Sequence, residues 1–167
     1  QALERLHLKA VEVATDPALG VDLAALAELL ARQKVAACWF MPSFQNPLGA
    51  LMPTAQRQAL VALLARHRVP LIEDDVYGEL HAGLRRPLPA KAFDRDGGVL
   101  YCASFSKCLA PGYRVGWAAA GRYAPQVERL KMMTSLATAI PPQLAVVDYL
   151  VQGGYERHLR RLREALA

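Results

Sequence analysis

The run SFSKCLAPGYRVGW, Ser104–Trp117, sets one lysine inside a largely apolar stretch. Lys107 is flanked by Phe105, Cys108 and Leu109 and followed by Pro111 and Gly112, whereas a lysine on a solvated helix face usually has charged neighbours. A lysine held in a partly desolvated pocket loses some preference for its charged form, and a neutral amine can attack a carbonyl carbon to form an imine. Ser104, Ser106 and Arg114 lie in the same run. Upstream stand Asn46 in SFQNPLGALMP and the acids Asp74 and Asp75 at the end of VPLIEDD, with Tyr77 three positions after Asp74.

The surrounding pattern tells which elements must carry these residues. LHLKAVEVAT reads as a strand, and VDLAALAELLARQK as a helix with Leu23, Leu26, Ala27 and Leu30 on one face and Asp22 near its start. VAACWFMP is a short apolar strand. The Pro/Gly/Asn-rich loop from Ser43 to Pro53 then leads to the helix TAQRQALVALLARHR, with Thr54 as N-cap. VPLIEDD, GVLYCASF and VGWAAAG are further strands, separated by the irregular RPLPAKAF and by the lysine loop. A helix is predicted from Tyr123 to about Leu136, and another starting near Pro141 and interrupted at Gly153 and Gly154. Continuous apolar strands alternating with amphipathic helices indicate an α/β protein with a mostly parallel sheet and helices on both faces.

In such sheets ligands bind beyond the carboxyl ends of the strands. Asn46 follows one predicted strand, Asp74 and Asp75 end the next, and Ser104, Ser106 and Lys107 follow another. Three strand ends therefore bring an amide, carboxylates, hydroxyls and an amine to one edge. Each residue also has a plainer reading. Strand-end acids cap helices or solubilise turns, and Glu73 is assigned such a structural role. Asn46 before Pro47 suits a turn, and Ser106 can serve the lysine loop alone. His67, His81, Cys108 and Trp39 are read as packing or surface residues.

The chain has 167 residues, 53% of them apolar and 21% charged, enough for a conventional core in one domain. No apolar run approaches the roughly 20 residues of a membrane span, and no secretory leader is visible, so a cytoplasmic protein is expected. Cys38, Cys102 and Cys108 match no zinc spacing, no metal is expected, and the cysteines are read as reduced, Cys38 and Cys102 as core residues. The net charge of +5 is densest in YERHLRRLREALA. There Tyr155, Leu159, Leu162 and Leu166 fall at helical spacing, and Glu156 with Arg160 and Arg160 with Glu164 form i,i+4 pairs, so the run reads as a solvated helix rather than a nucleic-acid surface.

A pyridoxal phosphate site needs an imine-forming lysine, a carboxylate on the pyridinium nitrogen, hydrogen bonds to the phenolic oxygen, and a cation with hydroxyls for the phosphate. PSFQNPLG, IEDDVYGEL and SFSKCLAPGYRVGW, in this order and separation, resemble the fold-type I pyridoxal-phosphate enzymes of aminotransferase class I/II. The resemblance runs through essentially the whole chain and implies the central part of that family's large domain. It implies that Lys107 forms the internal aldimine and that Asp74 keeps the ring nitrogen protonated, with Asp75 as the alternative ring partner. It also implies that Asn46 and Tyr77 bind the phenolic oxygen, and that Ser104, Ser106 and Arg114 hold the phosphate.

EDDVYGEL, RPLPAKAFDRDGGVLYCASFSKCLAPGYRVGW and the closing GGYERHLRRLREAL are most similar to the aminotransferase-like domain of MocR-type regulators in the GntR group. That resemblance implies a parent with an N-terminal winged helix that binds DNA, and a pyridoxal-phosphate domain that senses an amino acid or related effector and forms a homodimer. A fragment of a class I/II aminotransferase acting on an amino acid and a 2-oxo acid is the alternative. Residues 1–167 then form a single partial domain, lacking the winged helix, the first large-domain strands and the small domain. Such a chain is expected to have no substantial aminotransferase activity alone, and to leave a sheet edge or apolar face uncovered.

Overall fold

Side chains alternate between the two faces of a strand, and this period organises the molecule. The computed structural model describes residues 2–166. Strands β1 (Thr15–Asp16) and β2 (Gly20–Val21) form a small antiparallel pair after helix α1 (Ala2–Arg5). Helix α2 (Leu23–Arg32) leads to β3 (Cys38–Phe40), and α3 (Thr54–His67) to β4 (Leu71–Asp74). β5 (Val99–Ser104) and β6 (Gly116–Ala119) complete a sheet of order β3-β4-β5-β6, parallel except for the antiparallel β6. Helices α4 (Ala124–Ser135), α5 (Ile140–Val151) and α6 (Gly154–Leu166) follow.

Cys38, Leu71 and Val99 lie in register across the three parallel strands, and all are buried. They pack with Leu26 and Leu30 of α2 and with Leu60, Val61, Leu63 and Leu64 of α3, with Leu23 and Ala27 at the margin. Full burial of one such side chain stabilises by about 1.5–3 kcal/mol, so this cluster is the main source of fold stability. The alternate residues Trp39, Ile72, Leu100 and Cys102 point to the other face, which is only partly covered; Trp39 is 67% exposed. A second cluster joins Phe105 and Cys108 of the lysine turn to Val146 of α5 and to Tyr155 and Leu159 of α6.

Local chemistry explains most boundaries. Asp22 caps α2, its carboxylate accepting from the Ala24 and Ala25 amides at 2.8 and 3.1 Å. Gly153, at φ 68°, makes the left-handed break between α5 and α6. At Gly116 a Cβ would lie 2.8 Å from the Ala103 carbonyl oxygen, so only glycine lets β6 return against β5 there.

Three expectations are corrected. Leu6–Thr15 is not a strand: only Thr15 pairs, and Leu6, Leu8 and Val11 are exposed, because an alternating segment without a neighbouring ladder has nothing to bond. Thr54 is the first residue of α3 rather than its cap; Pro53 holds the capping position, and no side chain caps that end. Cys102 is only half-buried on the partly covered face, whereas Cys108 joins Cys38 among the buried cysteines, because its turn is folded against α6. In α6, Tyr155 and Leu159 are buried but Leu166 is exposed.

No helix among the described residues is long and apolar enough to cross a membrane. Yet α4 buries no residue, and Leu130, Met132, Met133 and Leu136 are exposed beside Ile140, Leu144 and Val147. β6 is exposed along its length at one edge of the sheet. Apolar surface and an open edge of this extent favour association. Light scattering over a concentration series is expected to show the chain self-associating, and Leu130→Lys with Met133→Lys is expected to weaken the association by about tenfold or more; a constant monomer mass would overturn this.

Candidate functional site

The lysine turn closes one helical turn directly after β5. The Leu109 and Ala110 amides both donate to the Phe105 carbonyl, at 2.8 and 3.0 Å, and the Phe105 amide reaches across to Val115 at 3.1 Å. Phe105 packs on Trp117 and Tyr155 with ring centres 5.1 and 5.6 Å apart, and Cys108 Sγ lies 3.1 Å from the Tyr155 hydroxyl. Burial drives the Tyr155 hydroxyl far above its ordinary range, so it stays protonated. The apolar neighbours of Lys107 thus anchor the turn, while Lys107 itself is exposed. This corrects the expectation of a desolvated lysine: its neighbours turn inward and the amine is presented outward. Lys107 Nζ lies 5.9 Å from the centre of the Tyr77 ring, at the outer limit of a cation–π contact.

Ser104, Ser106 and Arg114 converge beside this turn. Ser104 Oγ accepts from the Ser106 amide at 3.3 Å, and Arg114 Nη1 donates to Ser106 Oγ and to the Pro111 carbonyl, both at 3.4 Å. Arg114 adopts φ 53°, the left-handed region that non-glycine residues rarely occupy, at a cost of roughly 1–2 kcal/mol. Strain of this kind gathers where a side chain has to be aimed. The result is a corner of two hydroxyls and a guanidinium on one side of Lys107.

The acids ending β4 divide sharply. Glu73 is fully buried and accepts from the Ala90 and Lys91 amides at 2.6 and 2.8 Å. Burial raises its carboxyl above the usual range, opposed by those two amides. This matches its structural assignment. Asp75 is also buried and accepts from Arg86 Nη2 at 2.6 Å and from the Tyr101 hydroxyl at 2.9 Å. Burial, with the Asp75 charge beside it, pushes Tyr101 up to about 12. Asp74, between them in sequence, points to the opposite face, level with Cys102 of β5. Its Oδ1 is buried and has no hydrogen-bond partner. Asp75 Oδ1 is likewise buried without a partner, so the two candidates for a ring-facing carboxylate differ in that Arg86 and Tyr101 already engage Asp75 through Oδ2, whereas among the described residues no such side-chain contact engages Asp74.

Asn46 lies in the exposed part of the loop between β3 and α3, its backbone carbonyl accepting from Gln45 Nε2 at 2.9 Å. With Gln45, Trp39, Phe40 and Met52 it borders a cavity of about 190 Å³. The strand order sets Asn46, Asp74 with Tyr77, and Ser104 with Lys107 at the ends of three adjacent parallel strands. The hydrogen-bonded contacts among these residues link Ser104, Ser106 and Arg114, and the ring contact links Lys107 and Tyr77.

Sequence reasoning missed Arg57, Glu79, Arg86 and Arg163. Arg57 is 1% exposed, and its only signal is a cation in the same apolar stripe as Leu60 and Leu64. Burial lowers its basicity, against the raising effect of Glu73 and Asp75. Arg86 joins Asp75 to Glu79 Oε1 at 3.2 Å, and Arg163 of α6 grips Glu79 through its carboxylate and its carbonyl at 3.2 and 2.7 Å. No local pattern announces contacts spanning 84 residues.

Comparison with known proteins bears on this arrangement. The family model described as aminotransferase class I and II matches residues 1–153. The HTH-type transcriptional regulator YdcR of Escherichia coli is 56% identical over 167 residues, all of this chain but 36% of that protein. The chain thus spans about a third of the length of the curated relatives it matches. The structure of LysN, an α-aminoadipate aminotransferase from Thermus thermophilus complexed with N-(5'-phosphopyridoxyl)-L-leucine, superposes with a TM-score of 0.86 at 34% identity, over 94% of this chain and 41% of that one. The Pyrococcus horikoshii kynurenine aminotransferase, in complex with PMP, gives 0.88 at 31% identity over 98% of this chain and 42% of that one.

The Asp75 network carries an energetic expectation. Removing one partner of a buried ion pair costs about 3–5 kcal/mol, but the Arg86 side chain is 34% exposed and partly screened, which lowers the figure to about 2 kcal/mol. Arg86→Ala is expected to lose that much stability by urea unfolding and Tyr101→Phe about 1 kcal/mol; a change under about 0.5 kcal/mol for Arg86→Ala would show the network to be energetically idle.

Proposed function

The chain belongs to the aminotransferase class I and II family, and on that footing we propose that it is the cofactor-holding part of the aminotransferase-like domain of a transcriptional regulator of the GntR/MocR kind, binding pyridoxal 5'-phosphate through Lys107. The regulator assignment rests on the 56% identity to an HTH-type regulator along the whole chain. The observation that carries the cofactor assignment is the buried, unpartnered Oδ1 of Asp74 at the end of the strand next to the one that delivers Lys107; Asp75 Oδ1 is unpartnered as well, but that carboxylate is already paired through Oδ2 with Arg86 and Tyr101. A buried acceptor without a donor costs free energy unless a ligand supplies one, and a protonated ring nitrogen is such a donor.

The remaining residues fit the same group. Ser104, Ser106 and Arg114 form a corner suited to a phosphate dianion, the guanidinium offering paired donors that a lysine would not reproduce. Asn46 and Tyr77 would donate to the phenolic oxygen. When bound, the cofactor supplies an aldehyde carbon open to an amine and a ring that accepts electrons. Asp74 would hold the proton on the ring nitrogen, and Lys107 would supply the amine that holds the aldehyde carbon and a base able to carry a proton. The partly covered sheet face and the exposed Lys107 leave the site open to water in this chain by itself.

In the parent regulator the ligand would be an amino acid or related effector, the domain would form a homodimer, and DNA would be bound through a separate N-terminal domain. A second reading, part of an aminotransferase converting an amino acid and a 2-oxo acid, draws on the two aminotransferase structures above 30% identity. The site residues would be the same in both, and turnover separates them.

Titration of the purified chain with pyridoxal phosphate is expected to give a visible absorbance band that Lys107→Ala abolishes. Arg114→Ala is expected to weaken binding by about 10–100-fold, the worth of a charge-assisted contact. A band of equal strength in Lys107→Ala would overturn the assignment.

A further inference from the structure

Arg57 and Glu73 are opposite charges, exposed by 1% and 0%, and form no direct pair. What they share is a stretch of backbone. Arg57 Nη1 donates to the Leu88 carbonyl at 2.6 Å, and Glu73 accepts from the Ala90 and Lys91 amides two and three residues on. The segment from 88 to 91 is thus held from α3 by a cation on its carbonyl side and from β4 by an anion on its amide side.

The other guanidinium contacts all go to the loop that carries Asn46. Arg57 Nε donates to the Met52 carbonyl at 2.7 Å, Nη2 to the Pro42 carbonyl at 3.0 Å, and Nη1 also to Ser43 Oγ at 3.1 Å. Pro42 and Met52 are the two stems of this loop, already joined by the Met52 amide to the Pro42 carbonyl at 2.9 Å. The loop is closed further out by Gln45 to Ala50 and by the Gln45 side chain to the Leu48 amide, both at 2.9 Å. One side chain therefore grips both stems. Glu73, meanwhile, is the residue before Asp74, and its burial forces Asp74 to the other face of the strand.

We infer that Arg57 and Glu73 are positioning residues, a buried clamp that sets the Asn46 loop and the Asp74 strand end relative to one another through the shared segment 88–91. As a statement about a cofactor site this rests on the function proposed above. A leucine at position 57 would suit the apolar stripe of α3, but it would leave the Met52 and Leu88 carbonyls and Ser43 without this donor. Neither a hydrocarbon nor a lysine, a point charge on a flexible stem, reproduces a planar fork reaching four acceptors. The position thus demands arginine for geometry, at the expense of burying a charge.

Two readouts test the clamp, the first of them without any cofactor. By native-state hydrogen exchange, Arg57→Lys is expected to speed exchange of the Gln45 and Met52 amides by about tenfold, and Glu73→Gln that of the Ala90 and Lys91 amides, with the β5 amides changed by no more than about twofold. Equal acceleration everywhere, or none in the loop, would overturn the clamp and leave only a general contribution to stability. Ser43→Ala removes one of the four acceptors of Arg57 while leaving both buried charges in place, and is expected to speed the same loop amides by about threefold; it decides the matter should Arg57→Lys fail to fold.

The second readout is the pH midpoint of the Lys107-dependent band. Arg57→Lys is expected to shift it in the same direction as Asn46→Ala, with no added shift in the double variant, because Arg57 acts through that loop. An additive shift would overturn the route through Asn46. If the unaltered chain gives no Lys107-dependent band, the cofactor reading fails while the exchange experiment still decides the clamp.

Discussion

Three consecutive acids at the end of a strand in the middle of a sheet are an electrostatic problem, and the way it is solved governs the rest of the molecule. Strand geometry sends Glu73 and Asp75 to one side and Asp74 to the other. On the packed side a bare carboxylate would cost several kcal/mol, so Glu73 takes two backbone amides and Asp75 takes Arg86 and Tyr101. Those partners fix the segment around residue 90, tie Tyr101 into the network, and draw in Glu79 and, through it, α6. Oδ1 of Asp74 and Oδ1 of Asp75 are both buried without a partner, but Asp75 is held through its Oδ2 by Arg86 and Tyr101. The same alternation that creates the difficulty thus separates the two acids held by protein donors from the one that is not.

The lysine turn follows a comparable division. Phe105 and Cys108 spend their apolar surface on Trp117, Tyr155, Val146 and Leu159, and this holds the backbone of the turn while leaving Lys107 outside the core. Ser104, at the end of β5, and Gly116, at the start of β6, face each other in the ladder, so the loop between them is closed at its base. A closed base with buried flanks fixes a lysine without burying it. That suits a residue that must meet a ligand from solvent, and it means that desolvation of the amine depends on what comes to lie over it.

Legibility in the sequence followed the range of the interactions. Parallel strands, helix faces and the Gly153 break were readable because they are set by local period and backbone preference. The preference for Asp74 over Asp75 came from the family's spacing, and what the structure adds is that Asp75 is held by Arg86 and Tyr101, contacts that the sequence did not announce. The segment 6–15 was misread because alternation signals a strand only where a neighbouring ladder exists to receive it. Lys107 was misread as desolvated because apolar neighbours in sequence need not be neighbours of the side-chain tip. Arg57, Arg86 and Arg163 were missed for one shared reason: a structural arginine is defined by the carbonyls and carboxylates that fold around it, and those lie elsewhere in the chain.

Stabilising contacts are distributed unevenly around the candidate site. The apolar faces of α4 and α5 and the edge strand β6 are exposed, so the outer layers contribute little by burial. What surrounds the site is held differently. A cluster from α2, α3 and three strands lies beneath it, and four buried polar groups, Arg57, Glu73, Asp75 and Ser43, each hydrogen-bonded to named partners though Asp75 Oδ1 has none, fasten the loops above it. Each hydrogen bond of that kind contributes only about 0.5–1.5 kcal/mol net, but losing one partner strands a buried group at a larger cost. Loops secured this way are held in place by penalties against opening rather than by covering layers. The site residues consequently depend on the interior beneath them more than on the exposed surfaces around them.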